Sequence, residues 1–160
     1  MKKIIEKKNY IIAFFIPTVI MFYCFLFNKV GFNYKNSMIF GDALAQYYPL
    51  FTYIKNGGSL LYSFNAGLGM PMLGTIAYYL MSPFNLFLFV IKDVSNFVFL
   101  ISIFKYGLCG LTFYIYLRNH FKEDKLIYLA FSTIYALSGF SILYFNNIMW
   151  FDTLYMFPLV

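Results

Sequence analysis

Residues 97–117 read FVFLISIFKYGLCGLTFYIYL, an apolar run long enough to cross a bilayer and interrupted by a single charge, Lys105. The direction in which this run crosses decides which other segments share a side of the membrane, and so decides the fold. A lysine at mid-to-outer depth by default marks a functional site or a partner, such as a lipid phosphate, unless its long stem carries the ammonium out to the headgroups.

The rest of the chain is of the same kind. Of 160 residues, 62% are hydrophobic, 24% aromatic and only 11% charged, with a mean hydropathy of +0.71. A water-soluble domain cannot hide that much apolar surface, so the composition predicts an all-α integral membrane protein. The net charge of +6 is spread along the chain apart from one N-terminal cluster, which excludes the basic footprint that nucleic acid requires. Cys24 and Cys109 lie inside apolar runs with no CxxC or Cys/His spacing, so neither a disulfide framework nor a zinc site is indicated. His120, the one histidine, sits in a polar loop, which excludes a Ser/His/Asp triad within this chain.

Residues 1–9 (MKKIIEKKN) place four lysines before the apolar run 10–27. That pattern predicts a cytoplasmic N-terminus followed by an uncleaved signal anchor that crosses the membrane. Residues 28–70 then form an external loop whose many aromatic residues suit short helices lying on the bilayer, broken at Pro49 and at 55–59 (KNGGS). Three further apolar runs follow: 71–91, interrupted by Ser82-Pro83, then 97–117 and 126–145.

If all three cross, the loop 118–125 (RNHFKEDK) falls outside, against the positive-inside tendency. If 71–91 is re-entrant or interfacial, 97–117 descends, Arg118, Lys122 and Lys125 lie in the cytoplasm, 126–145 climbs again, and Asp42 and Asp152 share the outer face. The second arrangement is preferred, and whether 71–91 crosses stays open. Residues 146–160 read as an external segment entering another helix, so the single membrane domain 1–160 is expected to be the N-terminal part of a larger polytopic protein, inactive by itself.

Two acids stand isolated in apolar surroundings. Asp42 lies in GDALAQYYP (41–49) four residues before Gln46, which puts both on one face if the stretch is helical; the alternative is that Asp42 merely caps an interfacial helix. Asp152 follows Trp150-Phe151, and its alternative is an interfacial residue beside a Trp anchor. Together they suit an acceptor base and a metal- or phosphate-positioning group. GLGMPMLG (67–74) lacks the third glycine of a dinucleotide loop and is not read as a nucleotide site, whereas Gly107 and Gly110 suit close helix packing.

The chain resembles the YfhO-type bacterial membrane proteins, which are similar to the GT-C class of polytopic, lipid-sugar-dependent glycosyltransferases. The resemblance rests on Asp42 with Gln46, Tyr47 and Pro49; on Tyr62-Ser63-Phe64 with Gly67-Leu68-Gly69; on Tyr79 and Ser82-Pro83-Phe84-Asn85; on Lys105-x-Gly107-x-x-Gly110; and on Tyr135-Ala136-Leu137-Ser138-Gly139 with Met149-Trp150-x-Asp152 and Pro158-Leu159. It implies a GT-C-like helical bundle in a bacterial cytoplasmic membrane, with Asp42 as catalytic base. Gln46, Tyr47, Lys105 and Asp152 would position acceptor or donor, and Asp152 would hold a divalent metal ion if one is used. The implied chemistry is inverting transfer of a sugar from a polyprenyl phosphate to a cell-wall polymer such as lipoteichoic acid. Membrane lipid and a second chain completing the fold are the other implied partners. Two further classes stay open: part of a transporter or flippase, in which Lys105 and the acids line a pathway, and a small structural membrane protein.

Overall fold

A computed structural model describes residues 2–31 and 37–160, with side chains from Lys8 onward. Met1, residues 32–36 of the loop read over 28–70, and the side chains of Lys2, Lys3 and Lys7 therefore lie outside the described residues.

The chain opens with α1 (Lys2–Phe27), passes a π-helical turn (Ala43–Tyr47) and runs directly into α2 (Tyr48–Lys55). β1 (Tyr62–Ser63) and β2 (Met70–Pro71) form a two-residue antiparallel ladder. Short helices are expected in this loop, and the π turn and α2 are helical; between Tyr62 and Pro71 the chain is not. The chain turns back instead, through Gly67 and Gly69, whose φ angles of +59° and +105° few other residues adopt. Next come α3 (Met72–Leu80), a 3₁₀ helix (Pro83–Phe89) and α4 (Val94–Phe121). Then α5 (Ile127–Ala136), α6 (Gly139–Leu143), α7 (Trp150–Met156) and a 3₁₀ turn (Phe157–Leu159) complete an all-α membrane protein.

Among the described residues, two helices are long and apolar enough to cross a membrane, Lys8–Phe27 and Val94–Phe121. α4 is apolar around its whole circumference and lies mostly inside the protein, packed against α1, α5 and α7. Asp93 starts it by accepting the Asn96 N–H at 2.8 Å, and Lys122, at φ 55°, ends it.

α1 runs antiparallel to α4, since Phe25 meets Phe99, Phe14 meets Phe104 and Tyr10 meets Tyr114, with ring centroids 5.9, 5.5 and 5.4 Å apart. The approach is close because α4 offers no side chain at Gly107 or Gly110. A Cβ on Gly110 would stand 2.4 Å from the Ala13 carbonyl oxygen, and one on Gly107 would stand 2.3 Å from Thr18 Oγ1. Pro17 has no N–H to give that Ala13 carbonyl, so the freed oxygen faces α4 at its barest position.

Two apolar runs are broken rather than continuous. In 71–91, Pro83 holds Ser82 extended at ψ 130°, and α3 and the following 3₁₀ helix meet at 104°. In 126–145, Ser138 leaves the helix at ψ 157° and its Oγ accepts the Ser141 N–H, so α5 and α6 form where one helix was expected. Taken together as Ile127–Leu143, that pair is shorter than either long helix.

Candidate functional site

The Lys105 side chain leaves α4 inside the protein, 1% exposed, and its ammonium donates to Asp152 Oδ2 at 2.7 Å and to the Ile148 carbonyl at 2.9 Å. The other carboxylate oxygen, Oδ1, accepts the Ser82 hydroxyl at 2.8 Å. Three elements meet at one ion pair: the central helix, the first turn of α7, and the bend between α3 and the 3₁₀ helix. A buried ammonium is tolerated only with such partners, so the snorkelling alternative for Lys105 is not what the fold adopts. Asp152 keeps a fifth of its side chain exposed and lines, with Ser82, Tyr79, Met81 and Tyr155, a hollow of about 260 Å³.

These residues do not fit a divalent metal ion. Both Asp152 oxygens are engaged, the charged neighbour is an ammonium, and no group of three or more His, Cys, Asp or Glu capable of holding a metal occurs among the described residues.

Asp42 is placed differently. It begins the π-helical turn, exposed, with no capping hydrogen bond from its side chain. Among the described residues its carboxylate accepts no hydrogen bond and enters no ion pair, so it does not act as the cap that its position suggested. π turns recur at functional sites because the wider turn re-aims side chains that a regular helix would stack. Here Gln46, within that turn, lines a hollow of about 470 Å³ between the turn, α2, the β-ladder and α3. Its other polar walls are Tyr53, Ser63, Asn65, Thr75 and Tyr79.

Tyr47 does not line this hollow. It is buried against Tyr79, edge to face at 5.5 Å, and burial, reinforced by Tyr79, Asp42 and Tyr78, pushes its hydroxyl well above the usual tyrosine range. Tyr79 lines both the Gln46 hollow and the Asp152 hollow. Gln46 and Asp152 thus flank one aromatic wall, whereas Lys105 is sealed behind Asp152.

Sequence reasoning singled out Lys105 and Asp152 but could not pair them, because they are 47 positions apart. Ser82 was visible as part of a Ser-Pro break without any sign of its hydrogen bond. Asn65, Thr75 and Tyr53 carried no local signal; they become a lining only when the ladder folds back over α2.

The opposite end of the α1–α4 pair is basic and polar. The Arg118 guanidinium lies 5.2 Å from the centre of the Tyr10 ring and donates to its hydroxyl, while Asn9 and Tyr114 donate to Asp124.

A family model described as the bacterial membrane protein YfhO matches residues 13–160. No curated protein and no solved structure matches the chain.

Proposed function

The chain belongs to the YfhO family of bacterial membrane proteins, and from that premise we propose that it serves inverting, GT-C-like transfer of a sugar from a polyprenyl phosphate to a cell-wall polymer such as lipoteichoic acid. Asp42 is the base. It takes the proton of an acceptor hydroxyl as that oxygen bonds to the anomeric carbon, and the bond from that carbon to the phosphate oxygen breaks, releasing polyprenyl phosphate. One displacement inverts the anomeric centre. Gln46 orients the incoming group, and the Lys105–Asp152 pair holds α7 and the Ser82 bend in register beside it.

The observation that carries this reading is an exposed carboxylate, without a hydrogen bond or ion pair among the described residues, opening a π turn whose next polar side chain lines a cavity. Such a carboxylate is available to a substrate proton, whereas a capping one is already engaged. Sidedness supports it as well. Lys2, Lys3, Lys7 and Lys8 lie at the same end of the antiparallel pair as Arg118, Lys122 and Lys125, seven of the chain's twelve basic residues. The positive-inside rule puts that end in the cytoplasm and the Asp42 end outside, in a multi-pass arrangement.

Asp42→Asn, expressed in the native bacterium, tests the mechanism by transfer of radiolabelled sugar from polyprenyl phosphate to wall polymer. Loss of a base predicts a fall of about 10²-fold or more at unchanged membrane abundance. Transfer at the wild-type rate would refute the assignment of Asp42.

A further inference from the structure

The hollow beside Gln46 opens into a second one. Pro49, Tyr53 and Asn65 line both, and the adjoining space, about 540 Å³, is closed by α2 at Tyr48 and Thr52 and by the turn at Asn56, Gly57 and Gly58. Both volumes are in the range that holds small organic ligands.

The walls are largely apolar, with Ala45, Pro49, Leu50, Ala66 and Met72 among them, and the polar groups they carry are of one kind. The polar groups are amides and hydroxyls, chiefly Gln46, Asn56, Asn65, Ser63 and Thr75, with the ring of Tyr53 between the two spaces. Among the described residues, no Asp, Glu, Lys, Arg or His lines either hollow. Lys55, the basic residue next to them in sequence, is committed elsewhere: its ammonium donates to the Lys92 carbonyl at 2.6 Å and to that of Ile91.

Three ligand classes fail this test. A phosphate or carboxylate would find no cation among the described residues of the lining to pair with. A cationic ligand would find no carboxylate in the lining. An acyl or isoprenoid chain would match the apolar walls at Ala45, Leu50 and Met72 but would strip water from the Gln46 and Asn65 amides without replacing its hydrogen bonds. A pyranose suits both kinds of wall, because its hydroxyls donate to and accept from the amides and hydroxyls while its C–H faces lie on the Tyr53 ring and the apolar residues.

Tyr53 is already set for that contact. Its hydroxyl donates to the Ser59 carbonyl at 2.9 Å, and the chain packs so tightly on its ring that a Cβ on Gly58 would come within 2.5 Å. A ring fixed in advance loses little entropy on binding.

The geometry points to this double hollow as a binding site for uncharged pyranose units, with Gln46 and Asn65 reading hydroxyls and Tyr53 as the platform. The inference deepens the sugar-transfer reading and rests on it for the fate of the sugar, which is either the glycosyl unit of the donor or a sugar of the acceptor. Binding itself is measurable without transfer.

The experiment is saturation-transfer NMR on the purified protein in a zwitterionic detergent that has no sugar headgroup. The probes are methyl β-glucopyranoside, methyl β-galactopyranoside and N-acetylglucosamine, with glycerol 3-phosphate as an anionic comparison. Saturation of the ring protons of at least one neutral sugar is expected, with affinity about three- to tenfold weaker in Asn65→Ala and in Gln46→Ala, as loss of one hydrogen bond predicts. Unchanged melting temperatures show that these variants fold. No saturation of any neutral sugar, binding unaffected by both substitutions, or equal binding of glycerol 3-phosphate would each overturn the assignment. Displacement of the bound glycoside by a short-chain polyprenyl-phosphate sugar assigns the site to the donor, displacement by solubilised wall polymer assigns it to the acceptor, and displacement by neither overturns it. Wild-type transfer by Asp42→Asn with sugar binding still weakened in Asn65→Ala and Gln46→Ala would sink the transfer mechanism while the sugar site stands.

Discussion

At the scale of single residues, the Lys105 ammonium is buried, and its surroundings follow from that constraint. A charge taken out of water needs an opposite charge and further hydrogen bonds, and here Asp152 and the Ile148 carbonyl provide them. Asp152→Ala therefore leaves an ammonium stranded and is expected to lower stability by about 3–5 kcal/mol, read as thermal unfolding in detergent. The double variant Lys105→Met with Asp152→Leu recovers most of that loss, because it removes both charges and fills their volume. Should the double variant be no more stable than Asp152→Ala, the pair would not be acting as a pair. Ser82→Ala deletes one hydrogen bond to an oxygen that still meets solvent, and about 1 kcal/mol is expected. Lys105 and Asp152 were each legible as costly charges in apolar runs; their partnership was not, since nothing local links positions so far apart.

At the scale of elements, the α1–α4 contact makes a prediction that separates two glycines. Both face α1, but a methyl on Gly110 meets the backbone oxygen of Ala13, whereas on Gly107 it meets the Thr18 and Phe14 side chains. Side chains can rotate and a helix backbone cannot. Gly110→Ala is expected to lose about 1–3 kcal/mol and Gly107→Ala distinctly less, measured by unfolding under identical detergent conditions. Tyr47 supplies a test in pH. Burial raises its folded-state value above the ordinary 10.0, so its contribution is whole below pH 10.0 and is lost as the pH climbs from there toward the folded-state value. Tyr47→Phe should match the wild type at neutral pH and unfold less readily in alkali; equal alkaline sensitivity would show that Tyr47 is not buried as described. The bend at Ser82-Pro83 was readable from proline's exclusion of a helical conformation at the residue before it. The break at Ser138 was not, because serine is tolerated inside helices and acts as a cap only when the chain around it already turns.

At the scale of the whole molecule, the antiparallel α1 and α4 put the two basic segments at one end and the Gln46 hollow at the other. With Cys24 and Cys109 replaced by alanine, single cysteines at Asn119 and Asn56 report the sides. A membrane-impermeant thiol reagent added to intact cells is expected to label Asn56→Cys and to reach Asn119→Cys only after lysis; the reverse would invert the proposed orientation. The sequence by itself determined that this is a helical membrane protein, because composition and unbroken apolar runs suffice when every backbone group must be satisfied without water. It also determined which charges are exceptional, since a charge in hydrocarbon stands out wherever it occurs. Only the tertiary structure decided that Lys105 closes on Asp152, that the Asp42 side chain is exposed and does not cap its turn, that Tyr47 turns into the core, and that Gln46 and Asn65 share a cavity. Those outcomes depend on contacts between segments distant along the chain, and periodicity and composition describe only what lies within one segment.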